Sequence, residues 1–259
     1  MEIKEVILIG SGNVSWHLAK TFHHAGIRVV QVAGRNENAV KEIAQNIGAA
    51  YTTNFADVAD IDGIYLLLVT DASIAEVAAR LYKPGRKLVH CSGGVSKDAL
   101  LFDTNTTGVF YPVLSFNKAV EIDIASAIIC VDSNDASHTE ALFKLGKKLT
   151  HHVHVLNDEQ RLRVNLGAVF VNNFTNHLYT IAEDLLKKNG MQLSMLMPLI
   201  ESSVKKIKNN SPHETQTGPA KRGEQSVMEK HLTLLADNPE YAAIYKLLSY
   251  SITNTYQNT

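Results

Sequence analysis

The chain has 259 residues, of which 25 are basic, 26 are acidic and 45% are hydrophobic. This balance excludes the overall positive charge typical of proteins that bind nucleic acid or anionic membranes. Two cysteines are too few for a disulfide framework, and their spacing indicates no metal site. No apolar run approaches the ~18–20 residues of a membrane span. We therefore expect a cytoplasmic protein with no bound metal and no nucleic-acid or membrane partner.

Up to about residue 150, short β-branched runs alternate with longer amphipathic segments. Strands that are apolar on both faces and separated by helices are typical of a parallel sheet covered on both sides. The predicted strands are 6–9, 29–33, 50–52, 64–69, 87–90, 109–111, 128–131 and 152–155. The predicted helices between them are 14–24, 38–47, 74–81 and 136–147. The pattern predicts an α/β fold with a doubly wound, mostly parallel sheet.

The remainder of the chain has a helical pattern. Apolar residues recur at spacings of three and four in one long segment, 158–188. Further helices are predicted at 193–208, 226–236 and 239–256, with an irregular stretch at 209–223. We predict two domains, 1–151 and 152–259, of which the second is all-helical.

A glycine-rich turn joins the first strand to the first helix. Gly10 permits a tight turn, and Gly12 lacks the Cβ that would keep a pyrophosphate away from the backbone. The helix start then offers free N–H groups and the positive end of its dipole. This predicts a Rossmann-type dinucleotide-binding domain. Its expected cofactor contacts in the turn are Gly10, Ser11, Gly12, Asn13 and Val14.

The end of the second strand selects the cofactor. Domains that bind NAD usually carry Asp or Glu there, whereas this chain reads Gly34-Arg35-Asn36. The planar, charged fork of Arg35 suits a 2′-phosphate, which predicts NADP(H) rather than NAD(H). Glu37 keeps NAD(H) open as the alternative.

The loops after two further strands should line the same groove, because ligands of such sheets lie beyond the carboxyl ends of the strands. Asp71 has helix N-capping as a second, compatible role. The residues expected in the groove are Val69, Thr70, Asp71, Cys91 and Ser92. Ser92 should lie near the nicotinamide.

These motifs resemble a known group. The strings GSGNV, VAGRN, VTDASI and HCSGG are similar to pyrroline-5-carboxylate reductases and deazaflavin-linked NADP oxidoreductases of the 6-phosphogluconate dehydrogenase-like superfamily. The strings TGPAKRGE and HL nearer the C-terminus resemble NADP oxidoreductases whose helical domain has no known function. The resemblance implies the fold, the cofactor and the domain plan, and little about the substrate.

One feature departs from that superfamily, in which many dehydrogenases carry a catalytic Lys-x-x-x-Asn on the first long C-terminal helix. The asparagine can be matched to Asn172 or Asn173. The residues four positions earlier are Ala168 and Val169, so the lysine is missing.

Four residues are candidates for the chemistry. Asn173 could hold a substrate carbonyl or amide, and Arg222 could clamp a carboxylate in bidentate fashion. Glu224 could act as acid or base, orient Arg222, or simply favour a helix start. Ser92 completes the set, with a plain turn as its alternative role.

The leading hypothesis is an NADP(H)-dependent oxidoreductase that moves a hydride to or from a small polar, anionic substrate between the domains. The alternative is an NADP(H)-binding sensor or regulatory protein without turnover, which the missing lysine favours. By analogy with the superfamily, we expect a homodimer formed through the helical domain.

Overall fold

The computed structural model describes residues 2–102 and 105–257, without the side chain of Gln257. Its strands form one eight-stranded sheet in the order β3-β2-β1-β4-β5-β6-β7-β8. They are β1 (Glu5–Ile9), β2 (Arg28–Ala33), β3 (Ala50–Thr52), β4 (Ile64–Leu67), β5 (Lys87–His90), β6 (Thr107–Val113), β7 (Ile128–Ser133) and β8 (His152–Val155). Strands β6 and β7 are antiparallel, and the other neighbouring pairs are parallel. The predicted doubly wound, mostly parallel sheet is confirmed.

Helices cover both faces of this sheet. They are α1 (Asn13–His24), α2 (Glu37–Ile47), α3 (Ile74–Leu81) and α4 (Ala136–Lys147). Successive residues of β1 point to opposite faces. Val6 and Leu8 belong to one buried cluster, which also contains residues of α1, α2 and α4. Ile7 and Ile9 belong to a second cluster with residues of α3. Two apolar faces explain why the strand runs are apolar throughout.

The chain changes direction at β1. It first builds β2 and β3 on one side of β1, and then crosses to the other side to form β4. The carboxyl ends of β1 and β4 therefore flank the switch point of the sheet, which is where ligands of doubly wound folds bind.

The long helix predicted at 158–188 is wrong as a single element. Helix α5 (Asp158–Ala168) leads into a π-helical segment, Val169–Phe174, which is followed by α6 (Thr175–Lys187). A π segment shifts the helix face by one residue while it keeps apolar spacings of three and four, so periodicity does not reveal it.

The remaining helices are α7 (Met197–Asn209), α8 (Pro212–Thr215), α9 (Pro219–Arg222), α10 (Gln225–Leu234) and α11 (Pro239–Gln257). The stretch expected to be irregular thus contains two single-turn helices. Each begins with a proline, whose fixed φ suits the first helical position.

By its internal contacts the chain divides into two units, Met1–Asn173 and Phe174–Thr259. Strand β8, which lies beyond the predicted boundary at residue 151, pairs with β7 in the first unit. The boundary between a cofactor domain and a helical domain stays a prediction.

Candidate functional site

The turn between β1 and α1 is held by a glycine that admits no side chain. Gly10 has a φ of +129°, and a Cβ there would lie 2.2 Å from the carbonyl oxygen of Leu68. Its N–H donates to the Ala33 carbonyl at 2.7 Å, which ties the turn to the end of β2. Because Leu68 follows β4, the turn is fixed at the switch point of the sheet.

Helix α1 begins at this turn with amide groups that no side chain caps. Gly12 is the N-cap residue, and the first turn contains no acidic side chain. The Trp16 N–H makes the bond to the Gly12 carbonyl, so the amides that precede it are available to a ligand. A Cβ on Gly12 would meet nothing within 4 Å. This open space lies where an anion would meet the positive end of the helix dipole.

A cleft of about 300 Å³ contains this helix start. Arg35 lines it, is exposed, and forms no ion pair among the described residues. The other lining residues are Gly10, Ser11, Gly12, Gly34, Asn36, Phe55, Leu68, Val69, Thr70, Ser73, Glu76, Val77 and Arg80. Free helix-start amides and a guanidinium without an ion-pair partner in one cleft are groups that can bind phosphates.

Eight of the predicted cofactor residues line this cleft, and five do not. The Asn13 amide donates to the Phe116 carbonyl at 3.0 Å, and Val14 packs against the core. The Cys91 thiol donates to the Phe110 carbonyl at 2.8 Å, and burial raises its pKa. These contacts give the three side chains structural roles.

Ser92 and the two glycines after it form a tight loop at the end of β5. Ser92 is 8% exposed, and its hydroxyl accepts the Gly94 N–H at 3.1 Å. A Cβ on Gly93 would lie 2.7 Å from Tyr111 and 2.8 Å from Asn165. The loop can approach these two side chains only because residue 93 is glycine.

Tyr111 and Asn165 form a polar pair beside this loop. The Tyr111 hydroxyl donates to Oδ1 of Asn165 at 2.9 Å. Burial raises the pKa of Tyr111, so the hydroxyl stays protonated at neutral pH. A Cβ on Gly94 would lie 3.8 Å from Oδ2 of Asp71 and 3.9 Å from Nδ2 of Asn165. The loop is thus faced by a proton donor, an amide and an exposed carboxylate.

A buried arginine fixes α5 to the same loop. Arg161 is 1% exposed, and its guanidinium donates to Asp158 at 2.7 Å and to the Val95 carbonyl. Asp158 also accepts a bond from the Ser96 hydroxyl at 2.5 Å. Because Asn165 lies one helical turn beyond Arg161, this network holds Asn165 in place beside the glycines.

The structure of a protein from Bacteroides fragilis, described as a putative NADP oxidoreductase, matches this chain with a TM-score of 0.91 and 33% identity. The match covers 97% of this chain and 98% of that one. The chain belongs to the family of that protein. The resemblance predicted from the sequence is confirmed.

More distant structures share the fold. A 1-pyrroline-5-carboxylate reductase from Streptococcus pyogenes is 15% identical with a TM-score of 0.60, over 96% of this chain and 98% of that one. An imine reductase from Myxococcus stipitatus in complex with NADP+ is 15% identical with a TM-score of 0.65, over 98% of this chain and 94% of that one.

A family model described as a domain of unknown function, DUF2520, matches residues 127–252. Another, described as shikimate / quinate 5-dehydrogenase, matches residues 1–71. No curated protein matches the chain.

Three of the candidate catalytic residues lie outside the Ser92 loop. Asn173, like Asn172 before it, is exposed in the π-helical segment. Arg222 is bound by Glu224 through two bonds, Nε to Oε1 at 2.7 Å and Nη2 to Oε2 at 2.9 Å. Glu224 therefore occupies the fork that a substrate carboxylate would use. Their catalytic roles stay predictions.

Sequence reasoning missed Tyr111, Asn165 and Arg161. One signal was available, because Arg161 and Asn165 have the four-residue spacing of the superfamily motif with arginine in the place of lysine. The prediction from the sequence matches the asparagine of the motif to Asn172 or Asn173 instead. The string Tyr111-Pro112 contributes to the family resemblance but does not indicate a role for Tyr111, since only the pairing of distant segments brings it to the loop.

Two kinds of feature are absent from residues 2–102 and 105–257. No helix there is long and apolar enough to cross a membrane. No three side chains of His, Cys, Asp or Glu there are grouped so that they could hold a metal ion.

Two buried histidines in the Met1–Asn173 unit resist protonation. Burial lowers the pKa of both His90 and His138 from 6.5 to about 4. Nδ1 of His90 accepts the Ser92 N–H at 3.1 Å, which requires that nitrogen to be unprotonated.

We expect the free energy of unfolding to fall as the pH decreases from about 6.5 to about 4. In this range the unfolded chain binds protons that the folded chain does not, at a cost of up to about 2 kcal/mol per histidine at pH 5. Urea unfolding at pH 7 and pH 5 measures the loss. His138→Gln should reduce the difference, whereas the same change at exposed His24 should not. Equal stability of the wild type at both pH values would contradict this expectation.

Proposed function

We propose that this protein is an NADP(H)-dependent oxidoreductase that transfers a hydride to or from a small polar substrate. The observation that carries the proposal is the uncapped start of α1 at Gly12, in one cleft with the unpaired Arg35. Membership in the family of the Bacteroides fragilis protein described as a putative NADP oxidoreductase supports it, since that description names the same cofactor and reaction class.

Different groups of the cleft would bind different phosphates of the cofactor. The amides that begin α1 would bind the diphosphate, and Arg35 would bind the 2′-phosphate. Gly10 would keep the turn narrow enough for this approach. A bound nicotinamide supplies the hydride, and the protein supplies orientation.

The polar pair beside the Ser92 loop supplies the proton. Reduction of a C=O or C=N bond requires a proton on the heteroatom in addition to the hydride on carbon. Tyr111 is partly buried, is protonated at neutral pH, and donates its hydroxyl proton to Oδ1 of Asn165 in the resting site. During reduction the hydroxyl would turn from Asn165 to the substrate heteroatom and give up this proton, and the tyrosinate that remains would regain a proton from solvent. We assign Tyr111 as the general acid and Asn165 as a positioning residue for its hydroxyl.

Gly12→Ala should fold normally and bind NADPH at least about tenfold more weakly, because the added methyl enters the space of the diphosphate. Gly167→Ala is the matched control, since a Cβ there also meets nothing within 4 Å. Isothermal titration calorimetry measures both affinities, and thermal melting checks the fold. If wild-type protein gave no heat with NADPH or NADH, the proposed function would be wrong.

Tyr111→Phe should lower kcat by a factor of about 10²–10⁴ and leave the Kd of NADPH unchanged, because it removes a proton donor and no cofactor contact. NADPH oxidation with a panel of keto acids and imines measures turnover. Tyr51→Phe, at an exposed tyrosine of β3, is the control. Full activity of Tyr111→Phe would refute the assignment. Tight NADPH binding by the wild type with no turnover across the panel would favour the sensor.

We further propose that two copies of the chain pair through the Phe174–Thr259 unit. Among the described residues of this unit, 12 large apolar side chains are exposed and four apolar residues are buried. Exposed apolar residues in such number mark an interaction surface. A second copy offers the same residues in return, because a twofold interface is self-complementary.

Light scattering after size exclusion should give twice the chain mass of 28.5 kDa. Leu247→Glu places a charge at a residue that is 67% exposed on α11, and should shift the protein toward monomer. Val120→Glu makes the same change at a residue that is 56% exposed in the first unit, and should not. A monomeric wild type at micromolar concentration would contradict the pairing.

A further inference from the structure

Arg80, in the last turn of α3, lies over an aromatic ring in the cofactor cleft. Its Cζ is 4.6 Å from the ring centroid of Phe55. Phe55 is 9% exposed and packs in the second apolar cluster, so its ring is a fixed platform. Both residues line the cleft that contains Arg35.

The charge of Arg80 is not neutralised by the nearest acid on its own helix. Glu76 precedes it by four residues, the spacing at which such pairs close on helix surfaces. In three other helices the pair does close, as in Glu140 with Lys144 at 2.7 Å and Glu159 with Arg163 at 2.7 Å. Among the described residues Arg80 forms no ion pair.

Two guanidinium groups without ion-pair partners therefore line the cleft. They come from different elements of the Met1–Asn173 unit. Arg35 follows β2, and Arg80 comes from the helix after β4. Contact with an aromatic face restrains a guanidinium and leaves its positive charge intact. Glu76 adds one negative charge, so two arginines and one glutamate leave the lining of the cleft with a net positive charge.

We propose that Arg80, restrained by Phe55, acts with Arg35 to bind the 2′-phosphate that distinguishes NADPH from NADH. The inference rests on the proposed function and adds a second residue that determines cofactor specificity. Two guanidinium groups match a dianionic phosphate in charge and offer paired N–H donors to its oxygens.

The test is calorimetric titration of NADPH and NADH into the wild type and three variants. Arg80→Ala should lower the affinity for NADPH by about tenfold or more and the affinity for NADH by less than twofold. Arg35→Ala should have the same effect. Arg28→Ala is the matched control, since Arg28 lies at the other end of β2 and is paired with Glu5 at 2.8 Å. It should change neither affinity.

A pair of smaller probes isolates the phosphate. Adenosine 2′,5′-bisphosphate carries the 2′-phosphate and lacks the nicotinamide, whereas 5′-AMP lacks the 2′-phosphate. Arg80→Ala should lower the affinity for the bisphosphate by the same factor as the affinity for NADPH, and leave the affinity for 5′-AMP unchanged.

Three results would overturn the inference. Equal weakening of NADPH and NADH would mean that Arg80 serves the adenine or the diphosphate. No change in either would mean that it does not reach the cofactor. Weakening of NADPH without weakening of the bisphosphate would place its role outside the phosphate. A wild type that binds neither dinucleotide would instead refute the proposed function.

Discussion

The contact between the backbones of Gly10 and Leu68 sets the geometry on which the site depends. No side chain fits at Gly10, because its Cβ would overlap the Leu68 carbonyl. Strands β2 and β4 lie on either side of β1, so the turn after β1 is enclosed by both. Helix α1 must begin there, and its first amides open into the same cleft. A position that excludes a side chain thus determines where the first amides of α1 open to a ligand.

Much of the fold could be predicted because the residue pattern within each strand agrees with the position of that strand in the sheet. Strands buried on both faces require apolar residues throughout, and their order along the chain predicted the parallel sheet. The π-helical segment at Val169–Phe174 could not be predicted in this way. Its wider turn is a property of backbone bonding that side-chain periodicity does not report. Two single-turn helices were also missed, because so short an element leaves no periodic pattern.

The two parts of the site differed in how far the sequence could predict them. The cleft proposed to bind the cofactor is built mainly from residues next to each other in the chain, as in Gly10–Gly12 and Gly34–Asn36. A motif search therefore finds it. Tyr111 and Asn165 are 54 residues apart and meet only when β6 and α5 converge on the Ser92 loop. Spacing within one segment cannot reveal such a pair, and it directed attention to Asn173, which is exposed.

Whether an arginine has a carboxylate partner distinguishes structural arginines from those that can bind an anionic ligand. Arg161 is buried, and an unpaired charge there would be costly, so Asp158 compensates it and the pair fixes a loop. Arg222 is exposed, and two of its three guanidinium nitrogens, Nε and Nη2, still donate to Glu224. A ligand would have to displace that carboxylate. Arg35 lies beside an open helix start with no carboxylate partner in the described chain. An incoming phosphate would not have to displace a carboxylate there, so the absence of a partner supports the proposed anion site more directly than the count of charges in the sequence.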